Sequence, residues 1–79
     1  MKEKEIIYGV CDKTGSCDSY FGFFKKEKEA IKELHVQSSR MKEDLGMIDI
    51  IIENNQAIQK NKKVIVIHSF VYDKIYYYE

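Results

Sequence analysis

The sequence contains no proline, no tryptophan, one arginine and two cysteines among its 79 residues. Two cysteines are too few for a disulfide-built scaffold. No apolar run approaches the roughly 20 residues of a membrane span. The alternating charges of residues 1–5 lack the apolar core of a secretory signal. We therefore expect a cytoplasmic protein with no membrane partner.

The charged residues show no excess of either sign. Thirteen basic residues balance 13 acidic ones, and the balance holds along the chain. Nucleic-acid binders usually concentrate lysine and arginine on one face, because phosphate contacts supply much of their affinity. We expect no nucleic-acid partner. Abundant lysine, isoleucine and tyrosine indicate an AT-rich genome, that of a low-GC bacterium or its phage.

The first third of the chain predicts a β-hairpin. Residues 5–11 are apolar and partly β-branched, residues 12–15 have turn composition, and residues 16–24 are rich in aromatics around Gly22. The missing side chain at Gly22 is typical of a β-bulge or of close approach by a neighbouring ring.

In residues 25–45 the spacing of the apolar residues is that of a helix. Apolar or small residues recur at steps of three and four, and Gly46 follows as a C-cap. Residues 47–62 are ambiguous, because their isoleucines fit both a strand and a helix. Asn54 and Asn55 are poor helix formers, which favours a strand with a polar turn at 60–63.

Residues 64–71 are apolar on both faces and predict a central strand. A corner at 72–74 and a final edge strand at 75–78 follow. We expect one α+β domain over residues 1–79, with a four- or five-stranded antiparallel sheet and one long helix on one face. The element order is ββαβββ, or ββααββ if residues 47–62 are helical. The predicted core comprises Ile6, Tyr8, Val10, Phe21, Phe23, Ile31, Leu34, Met41, Leu45, Ile50, Val64, Val66 and Phe70.

The reactive side chains form no recognisable motif. Cys11 and Cys17 are interpreted as unpaired thiols, with a disulfide as the alternative. His35 and His68 would complete a zinc site only if the fold brought them to both cysteines, and their spacing matches no zinc motif. Serines, His68 and an aspartate exist without the context of a hydrolase. We predict no catalytic residues, no metal and no cofactor, so the protein is not expected to be an enzyme.

The C-terminal tyrosines are the candidate partner-binding residues. Neighbouring tyrosines in a strand point to opposite faces, so one face presents Tyr72, Tyr76 and Tyr78 with Lys74 to a partner. The alternative is that other elements cover these tyrosines. An apolar edge strand invites pairing with another chain. We predict that this edge binds a host protein or a second copy of the chain.

The segment from Ile6 to Leu34 reads Ile-Ile-Tyr-Gly-Val, a polar turn, Tyr-Phe-Gly-Phe-Phe, and then a lysine- and glutamate-rich helix. It resembles the strand-turn-strand-helix opening of small uncharacterised phage and mobile-element proteins, over less than half of the chain. Those proteins usually cap the helix with serine or threonine, whereas this chain has Lys25 and Lys26.

The resemblance implies a stoichiometric inhibitor or adaptor that binds a host protein, including components of bacterial immunity. The residues themselves favour a protein-interaction module. The alternative is an oligomer that binds a small ligand, such as a nucleotide, between tyrosines and lysines.

Overall fold

The computed structural model describes residues 3–74 of the protein, with side chains for residues 5–71. It is an α+β fold in which one helix packs against one face of a five-stranded antiparallel sheet, as predicted. The strands lie in the order β2-β1-β5-β4-β3. The elements are β1 (Glu3–Asp12), β2 (Ser19–Phe24), α1 (Glu27–Asp44), β3 (Ile51–Glu53), β4 (Gln56–Gln59) and β5 (Lys62–Lys74).

The hairpin of β1 and β2 is closed by side chains of its turn. Asp12 Oδ1 accepts hydrogen bonds from the backbone N–H of Thr14 at 2.8 Å and from its hydroxyl at 2.6 Å. Lys13 Nζ lies 2.9 Å from Asp18 Oδ1. The acidic residues therefore act here as turn formers. The β1–β2 register shifts beside Gly22, so the bulge expected there is confirmed.

Helix α1 is shorter than the predicted range and is closed at its C-terminal end. Its N-cap, Lys26, makes no side-chain capping hydrogen bond. Gly46 has a φ of 68°, and the N–H groups of Leu45 and Met47 both donate to the Met41 carbonyl, at 3.1 and 3.3 Å. This is the hydrogen-bonding pattern of a glycine-terminated helix.

Residues 47–62 are not helical, but the one continuous strand expected to run as far as Gln59 is wrong. Two short strands, β3 and β4, are joined by Asn54 and Asn55, whose φ angles are 52° and 58°. Consecutive residues in this left-handed region make a tight hairpin turn of the kind that asparagine tolerates best. A second such turn at Lys60 and Asn61, with φ of 52° and 65°, leads into β5.

The predicted corner at residues 72–74 is also wrong, because β5 continues through Lys74 and pairs with β1 along its length. Strand β5 lies in the middle of the sheet, as expected for residues 64–71. The final strand predicted at 75–78 falls outside the described residues. The order ββαβββ is thus reached by one strand dividing in two, not by the strand expected at the C-terminus.

The core lies between α1 and the sheet face that it covers. The alternation predicted for β5 is present, but the helix covers the face that carries Ile65 and Ile67. The buried cluster consists of Val10, Ala30, Leu34, Met41, Ile50, Ala57, Val64 and Ile65. Val64 joins it because the β4–β5 register shifts opposite this residue.

Four residues of the predicted core are exposed: Ile6, Phe23, Leu45 and Phe70. Phe23 and Phe70 lie on the face opposite the helix, whereas Leu45 is the C-cap residue, 67% exposed. Ile6 is paired with exposed Val71, beyond the part of β1 that pairs with β2. All four side chains are apolar, and the sequence pattern does not distinguish them from core.

Candidate functional site

The sheet face opposite α1 carries a group of aromatic side chains that we call the aromatic patch. It consists of Tyr20 and Phe23 from β2 and His68 and Phe70 from β5. Phe23 is 59% and Phe70 42% exposed. The patch borders a shallow apolar depression completed by Ile7 of β1. Large apolar side chains are therefore concentrated on a face that no described element covers.

The rings reach across β1 because residue 9 has no side chain. A Cβ atom at Gly9 would lie 2.9 Å from the Tyr20 ring and 3.0 Å from the Phe23 ring. Gly9 pairs with Phe23 on one side and with His68 on the other. The glycine thus leaves a space in the middle strand that rings from β2 fill.

The four rings form one connected cluster. Tyr20 stacks on Phe23, with a centroid distance of 4.9 Å and an interplanar angle of 24°. Phe70 lies 6.0 Å from Tyr20 and 6.3 Å from both Phe23 and His68. These are favourable separations for aromatic pairs. The contacts hold the ring orientations together, so the patch is a preorganised surface.

One hydrogen bond links the patch across the sheet. The Tyr20 hydroxyl lies 2.9 Å from His68 Nδ1. Desolvation is the main reason that the pKa of Tyr20 is raised, and electrostatic interaction with Cys11 and Asp18 contributes to the increase. Burial likewise raises the pKa of the Cys11 thiol. The tyrosine therefore keeps its proton at neutral pH.

This grouping of tyrosine, histidine and cysteine lacks the features of a nucleophilic site. A reactive cysteine needs a lowered pKa, whereas that of Cys11 is raised by burial. Ser69 follows His68 in β5 and therefore points to the opposite face. Cys17 is exposed, and both cysteines are free. Among residues 3–74, no three histidine, cysteine or acidic side chains form a group that could hold a metal ion.

The predicted partner-binding residues lie at and beyond the end of β5. The backbone of Tyr72 and Lys74 is part of β5, opposite Glu5 and Glu3 of β1. Their side chains, and the whole of Tyr76 and Tyr78, lie outside the described residues. The predicted site therefore remains a prediction.

Sequence reasoning missed the aromatic patch as a site because it assigned Phe23 and Phe70 to the core. One signal was available. Gly9 interrupts an otherwise apolar strand, and the neighbouring strand is rich in aromatics. A glycine at such a position indicates close approach by a neighbour's ring.

A second feature is a groove beside the start of β5, which we call the lysine groove. It is lined by Lys13, Lys60, Lys62 and Lys63 around an apolar floor of Leu45, Met47 and Val64. Lys13 is paired with Asp18. Four lysines at one groove form a local basic surface in a chain whose net charge is zero.

The fold and the patch define a class of molecule: a two-layer α+β domain with one aromatic sheet face left open. No protein-family model, curated protein or solved structure matches the chain. Within the part of the chain that is described, no helix has both the length and the apolar character needed to cross a membrane.

Proposed function

We propose that this protein is a stoichiometric protein-interaction module that binds an apolar surface of another protein with its aromatic patch. The observation that supports this proposal is the exposure of Phe23 and Phe70 within a connected ring cluster on the face opposite the helix. Contiguous exposed apolar side chains typically mark binding surfaces.

The energy available at the patch is consistent with a binding role. A phenylalanine presents about 200 Å² of surface, so the exposed parts of Phe23 and Phe70 together amount to about 200 Å². At about 25 cal/mol per Å², covering the exposed part of Phe23 contributes up to about 3 kcal/mol before the entropic cost of association is subtracted. That corresponds to about a hundredfold in affinity, the range of a binding hot spot.

The patch also defines the chemistry of its partner. None of its four side chains is a carboxylate or an amine, so the complementary surface is apolar. The Tyr20 hydroxyl and the His68 imidazole each keep capacity for one further hydrogen bond. A partner that presents an apolar side chain beside one polar group satisfies both features.

The biological role follows from the resemblance of residues 6–34 to small phage and mobile-element proteins. We extend the proposal accordingly to an inhibitor or adaptor that acts in the host cytoplasm on a host protein, including a component of bacterial immunity.

The proposal is tested by affinity capture from a low-GC bacterial lysate with three matched baits: wild type, Phe23→Ser and Leu45→Ser. Both substitutions remove an exposed apolar side chain, but Leu45 lies at the end of the helix. We expect wild type and Leu45→Ser to retain a partner that native mass spectrometry finds in a fixed ratio, and Phe23→Ser to lose it. Equal recovery by all three baits would contradict the proposal.

The predicted tyrosine site is tested with the same assay. A double variant, Tyr76→Ala with Tyr78→Ala, removes two of the candidate side chains and leaves the aromatic patch intact. Loss of the partner only from this variant would move the binding surface from the patch to the C-terminal tyrosines. Retention of the partner by this variant, together with its loss from Phe23→Ser, assigns binding to the patch.

The lysine groove favours the second candidate function, binding of a small anionic ligand such as a nucleotide. Its four lysines provide charge for phosphate, and its apolar floor provides contact area. Inorganic phosphate and ATP should then raise the melting temperature of wild type but not of a Lys60→Glu/Lys63→Glu variant. Unchanged melting of wild type with both ligands rejects this function.

A further inference from the structure

The two central strands extend beyond their neighbours. Strand β2 pairs with β1 only from residue 8 to 12, and β4 reaches β5 only as far as Ile65. Strands β1 and β5 nevertheless stay paired to Glu3 and Lys74. The result is a two-stranded ribbon at one end of a molecule whose longest dimension is 50 Å. Beyond Ile65, the edge of β5 that faces away from β1 has no strand partner among the described residues.

The register identifies the backbone groups on this open edge. The Lys13 N–H donates to the Val64 carbonyl at 2.8 Å. Antiparallel pairing alternates along a strand, so the even-numbered residues of β5 direct their backbone groups to β1. The odd-numbered residues from 67 to 73 direct theirs outward. In the described part of the chain, Ile67, Ser69 and Val71 meet no strand on this side.

The inner part of the ribbon is apolar and poorly protected, whereas its outer end carries charged residues: Glu3, Lys4 and Glu5 in β1, and Asp73 and Lys74 in β5. Val71, 61% exposed, and Ile6, 43% exposed, form a cross-strand pair on one face, while Phe70 is exposed on the other. Natural edge strands are usually protected by charge or proline. From Val64 to Tyr72 there is no proline and no lysine, arginine or acidic residue. A two-stranded ribbon alone is marginal in water.

We propose that a second copy of this chain covers the open edge, with β5 pairing antiparallel to its own copy about a two-fold axis at Phe70. In this register Ser69 lies opposite the second copy's Val71, and all the outward backbone groups from residue 67 to 73 are paired. Because this edge is open in every copy, one interface satisfies both chains. The zero net charge of the chain offers no repulsion against self-association.

This arrangement has a consequence for the aromatic patch. Residues opposite each other in a sheet share a face, so the two copies of Phe70 become neighbours and the two patches join into one surface. The inference does not rest on the proposed function, because it concerns the purified chain alone. Its tests use residues on the edge and leave Phe23 unchanged.

The first test is sedimentation velocity of wild type, Ser69→Ala and Ser69→Pro from micromolar to millimolar concentration. Ser69 directs its N–H outward, so proline removes an edge donor without breaking the pairing with β1. We expect concentration-dependent dimers of wild type and Ser69→Ala, and monomers of Ser69→Pro. Urea unfolding of Ser69→Pro should match that of wild type at concentrations at which wild type is monomeric. A wild type that stays monomeric throughout overturns the proposal, as does an undiminished dimer of Ser69→Pro.

The second test fixes the register by cross-linking. In a Cys17→Ser background, Phe70→Cys places two thiols directly opposite each other in a non-hydrogen-bonded pair, where strand spacing matches disulfide geometry. Ile51→Cys is the control, because Ile51 is an exposed residue of the edge strand β3. We expect covalent dimers of Phe70→Cys to form at least about tenfold faster under mild oxidation. Equal rates for both variants overturn the register.

Discussion

The Tyr20 hydroxyl and His68 Nδ1 share a hydrogen bond of 2.9 Å that spans β1 from β2 to β5. In β1, Tyr20 is paired with Cys11 and His68 with Gly9, and the Tyr20 ring lies over Gly9. The hydrogen bond therefore joins the edge strand β2 to the central strand β5 without help from the helix. The open face of the sheet thus has an ordering contact of its own.

Replacing Tyr20 with phenylalanine removes this bond and keeps the ring. We expect the melting temperature to fall by several degrees, because His68 loses a partner on a partly buried surface. Tyr8→Phe is the matched control, since the Tyr8 hydroxyl forms no hydrogen bond with a described residue. Calorimetry of both variants checks the prediction, and an equal decrease for the two would contradict it.

A methyl group at residue 9 is expected to disturb the aromatic patch. In Gly9→Ala the new Cβ would lie 2.9 Å from the Tyr20 ring, so that ring and Phe23 must shift. We expect a loss of about 1 to 3 kcal/mol in the free energy of unfolding. NMR chemical-shift changes should concentrate at Tyr20, Phe23 and His68.

Gly15→Ala is the control for this substitution. A Cβ at Gly15 would find its nearest atom at 3.6 Å, an ordinary contact distance, so its free energy of unfolding should hardly change. If Gly9→Ala were as stable as Gly15→Ala and kept the wild-type chemical shifts of the rings, the role assigned to Gly9 would be wrong.

Leu34, in helix α1, and Leu45, at its C-cap, differ in burial and should therefore respond differently to substitution. Leu34 is fully buried, so Leu34→Ala should cost about 2 to 5 kcal/mol of stability. Leu45 is 67% exposed, and Leu45→Ala should stay within about 0.5 kcal/mol of wild type. Urea unfolding measures both values. A large loss for Leu45→Ala would mean that this residue is covered in solution.

Stability is expected to fall in alkaline solution. Burial raises the pKa of Cys11 above its ordinary value of 9.0. Above about pH 9 the unfolded chain has released this proton while the folded chain retains it, so the free energy of unfolding decreases as pH rises. Below that pH the full stability is present. The raised pKa of Tyr20, whose ordinary value is 10.0, extends the decrease to higher pH.

The measurement compares urea unfolding at about pH 7 and about pH 10 for wild type, Cys11→Ala and Cys17→Ala. Removal of the buried thiol should make the alkaline decrease smaller, whereas removal of exposed Cys17 should leave it as in wild type. The same decrease in all three proteins would show that other groups cause it.

Much of the fold was predictable because its apolar residues recur at the regular spacing of a helix or a strand. Leu34, Ser38 and Met41 share one face of the helix, and all three are buried as their spacing indicates. The alternation of β5 was equally clear. Its faces are both apolar, however, so the pattern alone does not say which one the helix covers. Because the helix covers the face of β5 that carries Ile65, Ile65 lies in the core and Phe70 is exposed.

The site was harder to predict than the fold, because an exposed phenylalanine has the same sequence signature as a buried one. For this reason the sequence pattern places Phe23 and Phe70 in the predicted core. The sequence pattern does not predict the hairpin of β3 and β4, for a different reason. Asn54 and Asn55 lie among isoleucines that suit one continuous strand, and only their tolerance of positive φ indicates a turn.

Substitutions at Asn55 test whether the backbone of the turn at Asn54 and Asn55 is strained. Asn55 has a φ of 58°, a conformation that costs an ordinary residue about 1 to 2 kcal/mol and glycine almost nothing. We expect Asn55→Ala to lower the free energy of unfolding by about 1 kcal/mol, and Asn55→Gly to preserve or increase it. Urea unfolding of the two variants distinguishes backbone strain from a lost side-chain contact. If strain is the cause, glycine restores what alanine loses; if a contact is the cause, both variants lose stability alike.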